Sequence, residues 1–182
     1  MKRGFTLVEV LITTALFTAL MVAVVQLYVV YGRVILFQKS SIGIVLGGSS
    51  IVDAVRMAGL QATHVVASHS FSGASYNSGT MTAIFELPAI NASGAIITSA
   101  YDYIGISASS TNVYRLIDAA PGSARVSGTK QLTTVLGALS FTYDNTSFPS
   151  VTSVIVDATT TAILKGSTAQ THLRERIYLR NL

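Results

Sequence analysis

One uninterrupted apolar run dominates the start of the chain. No residue between Val10 and Gly32 is charged, and the sequence stays largely apolar to Phe37. An apolar helix of about 20 residues, rising about 1.5 Å per residue, crosses a hydrocarbon core of about 30 Å. The pattern therefore predicts a membrane-spanning helix over about 5–31. The basic residues before it predict that the N-terminus stays on the cytoplasmic side.

The helical pattern continues beyond the membrane after a glycine-rich interruption. Gly43, Gly47 and Gly48 each disfavour a helix by up to about 1 kcal/mol relative to Ala. Apolar residues then recur at helical spacing from Ile51 to Leu60. We therefore predict one long helix over 5–64, weakened or kinked at these glycines. The apolar face of its exposed half should pack on the segment that follows.

The pattern becomes that of a β-sheet after residue 65. Residues 65–80 are rich in Ser, Gly and His and predict a loop that joins helix to sheet. β-Branched and aromatic residues predict strands at 81–88, 101–107, 112–118, 132–143, 151–157 and 171–180, the second and third forming a hairpin. The predicted fold class is α+β, in which the long helix packs on a mostly antiparallel β-sheet domain spanning 65–182.

Composition narrows the functional classes. Only 11% of the 182 residues are charged, against roughly 25% in a typical soluble domain. The chain has no Cys, which excludes a disulfide framework, a thiolate metal site and a Cys nucleophile. The net charge of +4 includes Lys2 and Arg3 at the extreme N-terminus, so it is weak support for nucleic-acid binding.

A carboxylate lies just inside the apolar run. An ionisable group in such a helix is costly and usually has a partner, yet no cation follows Glu9 until Arg33 and the residue at i+4, Thr13, is neutral. The predicted partner of Glu9 is therefore another molecule. A cleaved secretory signal is the rival interpretation, but such a signal has a shorter apolar region ending in small residues, and Gln26-Leu27-Tyr28 follows here.

The segment Lys2-Arg3-Gly4-Phe5-Thr6-Leu7-Val8-Glu9 resembles the class III leader of type IV pilins and type II secretion pseudopilins. The resemblance implies a leader of residues 1–4, cleavage by a prepilin peptidase between Gly4 and Phe5, and N-methylation of Phe5. It also implies that Glu9 acts in assembly by pairing with the amino group of a neighbouring subunit.

The same resemblance implies a pilin-like fold and a set of partners. These partners are the membrane, the prepilin peptidase and other pilin or pseudopilin subunits. The protein would lie in the inner or cytoplasmic membrane before assembly and in an extracytoplasmic filament afterwards. Many major pilins of Gram-negative bacteria have a C-terminal disulfide loop that a chain without Cys cannot form, which fits a pseudopilin, a minor pilin or a pilin from another lineage.

Motifs of catalysis or metal binding do not emerge from the sequence. Ser127-Gly128-Thr129-Lys130 matches S-x-x-K by its letters, but the partner motifs of that active site are missing. His64 and His69, five residues apart, do not share a helix face, and no carboxylate lies close to them in sequence. We therefore predict no catalytic residue, no metal and no cofactor, and a membrane-anchored enzyme is disfavoured.

The C-terminal strand carries the remaining candidate site. Alternation predicts one face formed by His172, Arg174, Arg176, Tyr178 and Arg180. Arg174, Arg176 and Arg180 on this face could bind phosphates, or could protect an edge strand from aggregation. The predicted function is a structural filament subunit. The alternative is an adhesive or DNA-binding minor pilin at the filament tip.

Overall fold

The computed structural model describes residues 6–164 and 167–180, so Gly4 and Phe5 lie outside it. Its one α-helix, α1, spans Leu7–Gly59 and ends earlier than the predicted residue 64. The strands are β1 His64–Val65, β2 Ser68–Phe71, β3 Ala74–Asn77, β4 Thr82–Ile90, β5 Ile96–Ser109, β6 Asn112–Asp118, β7 Gly128–Thr133, β8 Leu136–Tyr143, β9 Ser153–Leu164 and β10 Ser167–Tyr178, with a 3-10 turn at Phe148–Ser150. Backbone contacts divide the chain into two compact units, 1–40 and 41–182.

The strands form two main sheets and a separate hairpin. The larger sheet has the order β1-β4-β5-β6-β7, the smaller has the order β10-β9-β8, and β2 pairs with β3. Every pairing is antiparallel. The predicted α+β class, with a long apolar helix packed on antiparallel sheets, is confirmed.

The last third of α1 belongs to the same unit as the sheets. One face of this part is buried, and its members are Ile44, Gly47, Gly48, Ile51, Val52, Ala54, Val55, Ala58 and Gly59. This face joins a single apolar cluster that also contains Phe85 of the larger sheet and Val156 of the smaller one, both fully buried. Burial of apolar surface drives this packing, as the predicted apolar face required.

Three glycines of α1, Gly47, Gly48 and Gly59, are points of close packing. The helix is continuous through 43–48, so these glycines do not interrupt it. A Cβ on Gly48 would lie 3.0 Å from Leu173 Cδ1, and one on Gly59 would lie 2.7 Å from Ile177 Cγ2. Packing against the β10 side chains thus favours glycine here and offsets its poor helix propensity.

The predictions for two segments, a loop at 65–80 and a single strand at 132–143, are wrong. The segment 65–80 contains the β2–β3 hairpin instead of a loop. Its turn residues Ser72 and Gly73 have φ of 50° and 86°, the left-handed conformations of a two-residue hairpin turn. The predicted strand 132–143 is two strands in different sheets. The chain changes sheets between them, where Val135 O accepts a hydrogen bond from Thr161 N of β9 at 2.8 Å.

A buried ion pair fixes the loop between β6 and β7. Asp102 is fully buried in β5 and accepts hydrogen bonds from Ala120 N at 2.8 Å, Ser123 Oγ at 2.7 Å and Arg125 Nη1 at 2.5 Å. These donors satisfy a carboxylate that would otherwise be costly to bury. The guanidinium of Arg125 is therefore already committed within the fold.

Candidate assembly site at the helix start

Thr6 and Glu9 form a capping box at the start of α1. The Glu9 carboxylate oxygen Oε2 accepts hydrogen bonds from Thr6 N at 2.8 Å and Thr6 Oγ1 at 3.0 Å. In return, Thr6 Oγ1 accepts a bond from Glu9 N at 3.3 Å. This reciprocal arrangement satisfies backbone N–H groups that have no partner inside the helix.

The capping box gives Glu9 hydrogen-bond donors that the sequence analysis did not identify. Thr6 of the same chain supplies two neutral donors, while a charged partner in another molecule stays a prediction. The pattern Thr-x-x-Glu, a recognised signature of a helix start, could have shown this. Both bonds end on Oε2. Among residues 6–164 and 167–180, the other oxygen, Oε1, has no hydrogen-bond donor.

Threonine hydroxyls within the apolar run are satisfied by the helix itself. Thr13 Oγ1 donates to Glu9 O at 2.8 Å, Thr14 Oγ1 to Val10 O at 2.7 Å, and Thr18 Oγ1 to Thr14 O at 2.7 Å. Such bonds remove the need for water partners in an apolar environment. Among the side chains of the helix before Tyr28, Glu9 is the one ionisable group.

Most large apolar side chains of α1 between Leu7 and Phe37 are exposed within the part of the chain that the structure describes. The exposed fraction of these side chains ranges from 46% at Val29 to 78% at Leu7 and Tyr28. The most apolar 18-residue window has a mean hydropathy of 2.3 and no buried residue. By length and composition this helix is able to cross a membrane. A surface of this size requires either lipid or neighbouring helices.

The residues predicted for processing, Gly4 and Phe5, lie outside the described residues. The described helix starts directly after them, with Thr6 as its capping residue and Leu7 as its first helical residue. Cleavage, methylation and the assembly role of Glu9 stay predictions.

The C-terminal arginines lie where alternation predicted. Arg174, Arg176 and Arg180 are exposed, and β10 is an edge strand of the smaller sheet. Asp157 on the neighbouring strand β9 partly neutralises this face, because it lies 2.7 Å from His172 Nε2 and 3.9 Å from Arg174 Nε.

On the opposite face of β10, Glu175 contacts Arg56 of α1. Arg56 donates from Nε to Glu175 Oε1 at 2.8 Å and from Nη2 to Glu175 Oε2 at 2.5 Å, a bidentate pair. Arg56 Nη1 also donates to Asp53 Oδ1 at 2.6 Å. The hydrogen bonds from Arg56 hold the pKa of Glu175 below its ordinary value. This link between α1 and β10 had no signal in the sequence, since its partners are 119 residues apart.

The three histidines each contact one carboxylate. His69 lies 2.8 Å from Asp118 and stacks on Tyr103 with ring centroids 3.8 Å apart. Burial raises the pKa of Tyr103 to about 12, with a further contribution from its hydrogen bond to Glu86. Among residues 6–164 and 167–180, no three His, Asp or Glu side chains converge to hold a metal ion.

Comparison with known families gives one match. Residues 1–25 match the family model described as the prokaryotic N-terminal methylation motif. This match contains the leader, the capping box and most of the apolar run. No curated protein and no solved structure matches the chain.

Proposed function

We propose that the chain is a structural subunit of a type IV pilus or a type II secretion-like pseudopilus, and so a member of the type IV pilin and pseudopilin family. The N-terminal methylation motif, the long apolar helix and the antiparallel sheets support this proposal. A prepilin peptidase cleaves between Gly4 and Phe5, and the new amino terminus is methylated. Members of this family are structural and not enzymatic. The lack of Cys favours a minor pilin or pseudopilin.

The exposed apolar helix supports the assembly mechanism. Before assembly, lipid covers the surface between Leu7 and Phe37. On assembly, helices of neighbouring subunits replace the lipid, so apolar contact is kept while the subunit leaves the membrane. The Thr hydroxyls already satisfied within the helix lower the cost of both environments.

The geometry of Glu9 supports charge pairing between subunits. Its Oε2 is held by Thr6 while Oε1 has no donor among the described residues, so the carboxylate is oriented and still able to accept a bond. After cleavage, Phe5 carries a charged amino group. Four residues of helix span only about 6 Å, so the Phe5 amine that reaches Glu9 belongs to a staggered neighbour.

Two variants separate charge pairing from helix capping. Glu9→Gln keeps the capping box, since Gln also occupies this position in such boxes, but removes the charge. Thr6→Val removes the cap and keeps the charge. Breaking one member of a low-dielectric ion pair costs about 3–5 kcal/mol, whereas losing a cap costs about 1 kcal/mol.

The measurement is the ratio of subunit in sheared filaments to subunit in membranes. We expect Glu9→Gln to reduce this ratio strongly and Thr6→Val to reduce it slightly, with cleavage intact in both. An equal reduction in the two variants would attribute the effect to helix capping and contradict the pairing mechanism.

The exposed arginine face favours one second candidate, an adhesive or DNA-binding subunit at the filament tip. Two residues along a strand span about 6.6–6.8 Å, so Arg174 and Arg176 present a row of separated positive charges of the kind that binds a phosphate backbone. Binding of mixed-sequence DNA that falls steeply with salt and is weakened by Arg174→Ala or Arg176→Ala would support it. Binding unchanged in these variants would dismiss it.

A further inference from the structure

Most carboxylates of the chain have a cationic or histidine partner within it. Asp53, Glu86, Asp102, Asp118, Asp157 and Glu175 each lie within 4 Å of an Arg or His nitrogen. Within the described residues, the two exceptions are Glu9 at the helix start and Asp144 after β8, which contact only threonine or serine donors. Asp144 is therefore the acidic group of the sheet-containing unit that has no cationic partner in this part of the chain.

Four described cations of the same unit, Arg115, Lys130, Arg176 and Arg180, have no acidic partner among the described residues, and two of these cations lie side by side. Arg115 of β6 and Lys130 of β7 lie directly opposite each other, and neither has an ion pair within residues 6–164 and 167–180. Arg115 Nε is also buried without a hydrogen-bond partner. Like charges opposite each other across a sheet are destabilising, and a buried donor without a partner adds to that cost.

These cations line two adjoining clefts beside exposed apolar side chains. The clefts have volumes of about 210 and 170 Å³ and share Arg115, Ile117 and Val126. The larger also contains Met57 of α1, and the smaller contains Lys130. Val126 is 80% exposed and Met57 61% exposed. We call this surface the Arg115/Lys130 patch, and its chemistry suits a carboxylate with an apolar neighbour.

The segment around Asp144 has that chemistry. Burial pulls the pKa of Asp144 upward, but hydrogen bonds from Thr152 and Ser153 outweigh it and hold the pKa below its ordinary value. The backbone N–H of Thr152 donates to Asp144 Oδ1 at 3.0 Å, which fixes the exposed carboxylate. Pro149, on the 3-10 turn of the same segment, is exposed.

We propose that Asp144 and the adjoining 3-10 turn of one subunit dock on the Arg115/Lys130 patch of a neighbouring copy in the filament. This inference rests on the proposed function. The two surfaces differ and lie at different places on the chain, so the contact is heterologous. A heterologous contact that does not close into a ring propagates as an open helical filament, which is the assembly that the apolar helix also requires.

A charge exchange tests the pairing in the full-length chain. Lys130→Glu and Asp144→Lys should each lower the ratio of filament to membrane subunit by roughly three- to fivefold, the upper range for an exposed ion pair. The double variant should restore the ratio, because the charges attract again. Gln170→Glu is the control, since it adds a negative charge at an exposed position of an edge strand outside the patch, and it should leave the ratio unchanged.

Each outcome decides the inference. An unchanged ratio in Lys130→Glu would mean that this lysine only protects the edge of the sheet, and would overturn the proposal. Losses in both single variants without restoration in the double variant would overturn the assignment of Asp144 as the partner. If the wild-type chain itself is missing from sheared filaments, the proposed function fails, independently of the patch.

Cross-linking gives a second measurement that does not depend on incorporation efficiency. Because the chain has no Cys, Lys130→Cys in one tagged copy and Asp144→Cys in a second, co-expressed copy would introduce the only thiols of these copies for a short bis-maleimide to link. We expect linked pairs of the two tags in filaments. Arg176→Cys with Asp144→Cys is the control, and equal linkage in both combinations would contradict docking at the patch.

Discussion

Gly47 tests the packing of α1 on the sheets most sharply. A Cβ at this position would overlap Thr133 Oγ1, and would lie 3.2 Å from Thr133 Cβ and 3.3 Å from Val135 Cγ2. Thr133 has little room to move, because it is only 7% exposed and its hydroxyl accepts a hydrogen bond from Val135 N at 3.3 Å. Gly47→Ala therefore forces either the helix or β7 to shift.

The expected magnitude follows from two opposing effects. Alanine in a helix interior gains up to about 1 kcal/mol over glycine, while overpacking a well-packed core costs about 1–3 kcal/mol. Because the overlap involves a buried β-branched side chain, we expect Gly47→Ala to lower the free energy of unfolding by about 1 kcal/mol. Gly43→Ala is the matched control, since a Cβ there meets nothing within 4 Å, and it should raise the free energy of unfolding by up to about 1 kcal/mol.

The assay is urea unfolding of a fragment spanning residues 33–182, followed by far-UV circular dichroism. The midpoint of Gly47→Ala should fall below that of the parent fragment, and the midpoint of Gly43→Ala should rise above it. If both variants are stabilised alike, α1 does not pack closely on β7 at this glycine and the argument is wrong.

Two further predictions concern the same fragment. Without the apolar run, residues 33–182 should be soluble and monomeric. Their far-UV circular dichroism should show both helix and strand. A purely helical spectrum would contradict the fold. Glu175, whose pKa is lowered in the folded state by hydrogen bonds from Arg56, should stabilise the fold above its unfolded pKa of about 4.3 and lose this effect as the pH falls through the folded value. Urea midpoints measured from pH 7 to pH 3 should therefore fall less in Glu175→Gln than in the parent. Equal pH profiles would show that the ion pair between Arg56 and Glu175 does not contribute to the free energy of unfolding.

The sequence predicted those features that depend on local periodicity. The apolar run indicates the long helix because its length and lack of charge are visible directly. Alternation likewise placed Arg174 and Arg176 outward and Ile177 inward, as the structure has them. The hairpin formed by β5 and β6 is also a local feature, because only Ser110 and Thr111 separate the two strands.

Features that depend on contacts between distant residues were missed. Gly47, Gly48 and Gly59 disfavour a helix locally, and only the side chains of Thr133, Leu173 and Ile177 explain why glycine fits there. The chain changes sheets between β7 and β8, where Val135 O accepts a hydrogen bond from Thr161 N, a contact between distant residues that no local pattern reveals. The β2–β3 hairpin is an intermediate case, since its Ser-rich strands resemble a loop although Ser72-Gly73 is a turn signal.

The same division holds for the candidate site. The leader motif is a short ordered pattern, so the order of its residues is enough to recognise it. The capping role of Thr6 is equally local, and the Thr-x-x-Glu spacing would have predicted it. The Arg115/Lys130 patch could not be predicted, because the two cations are brought together by the register of β6 and β7.

The mature amino terminus of the protein in purified, sheared filaments tests the central claim most directly. Mass analysis of the N-terminal peptide from that fraction should find a chain beginning at N-methylated Phe5. Gly4→Leu should abolish this species, because the peptidase would meet a bulky side chain where glycine offers none. A terminus beyond residue 20 would indicate an ordinary secretory signal, and a chain absent from the filament fraction would show that it is not a filament subunit; either result would contradict the account.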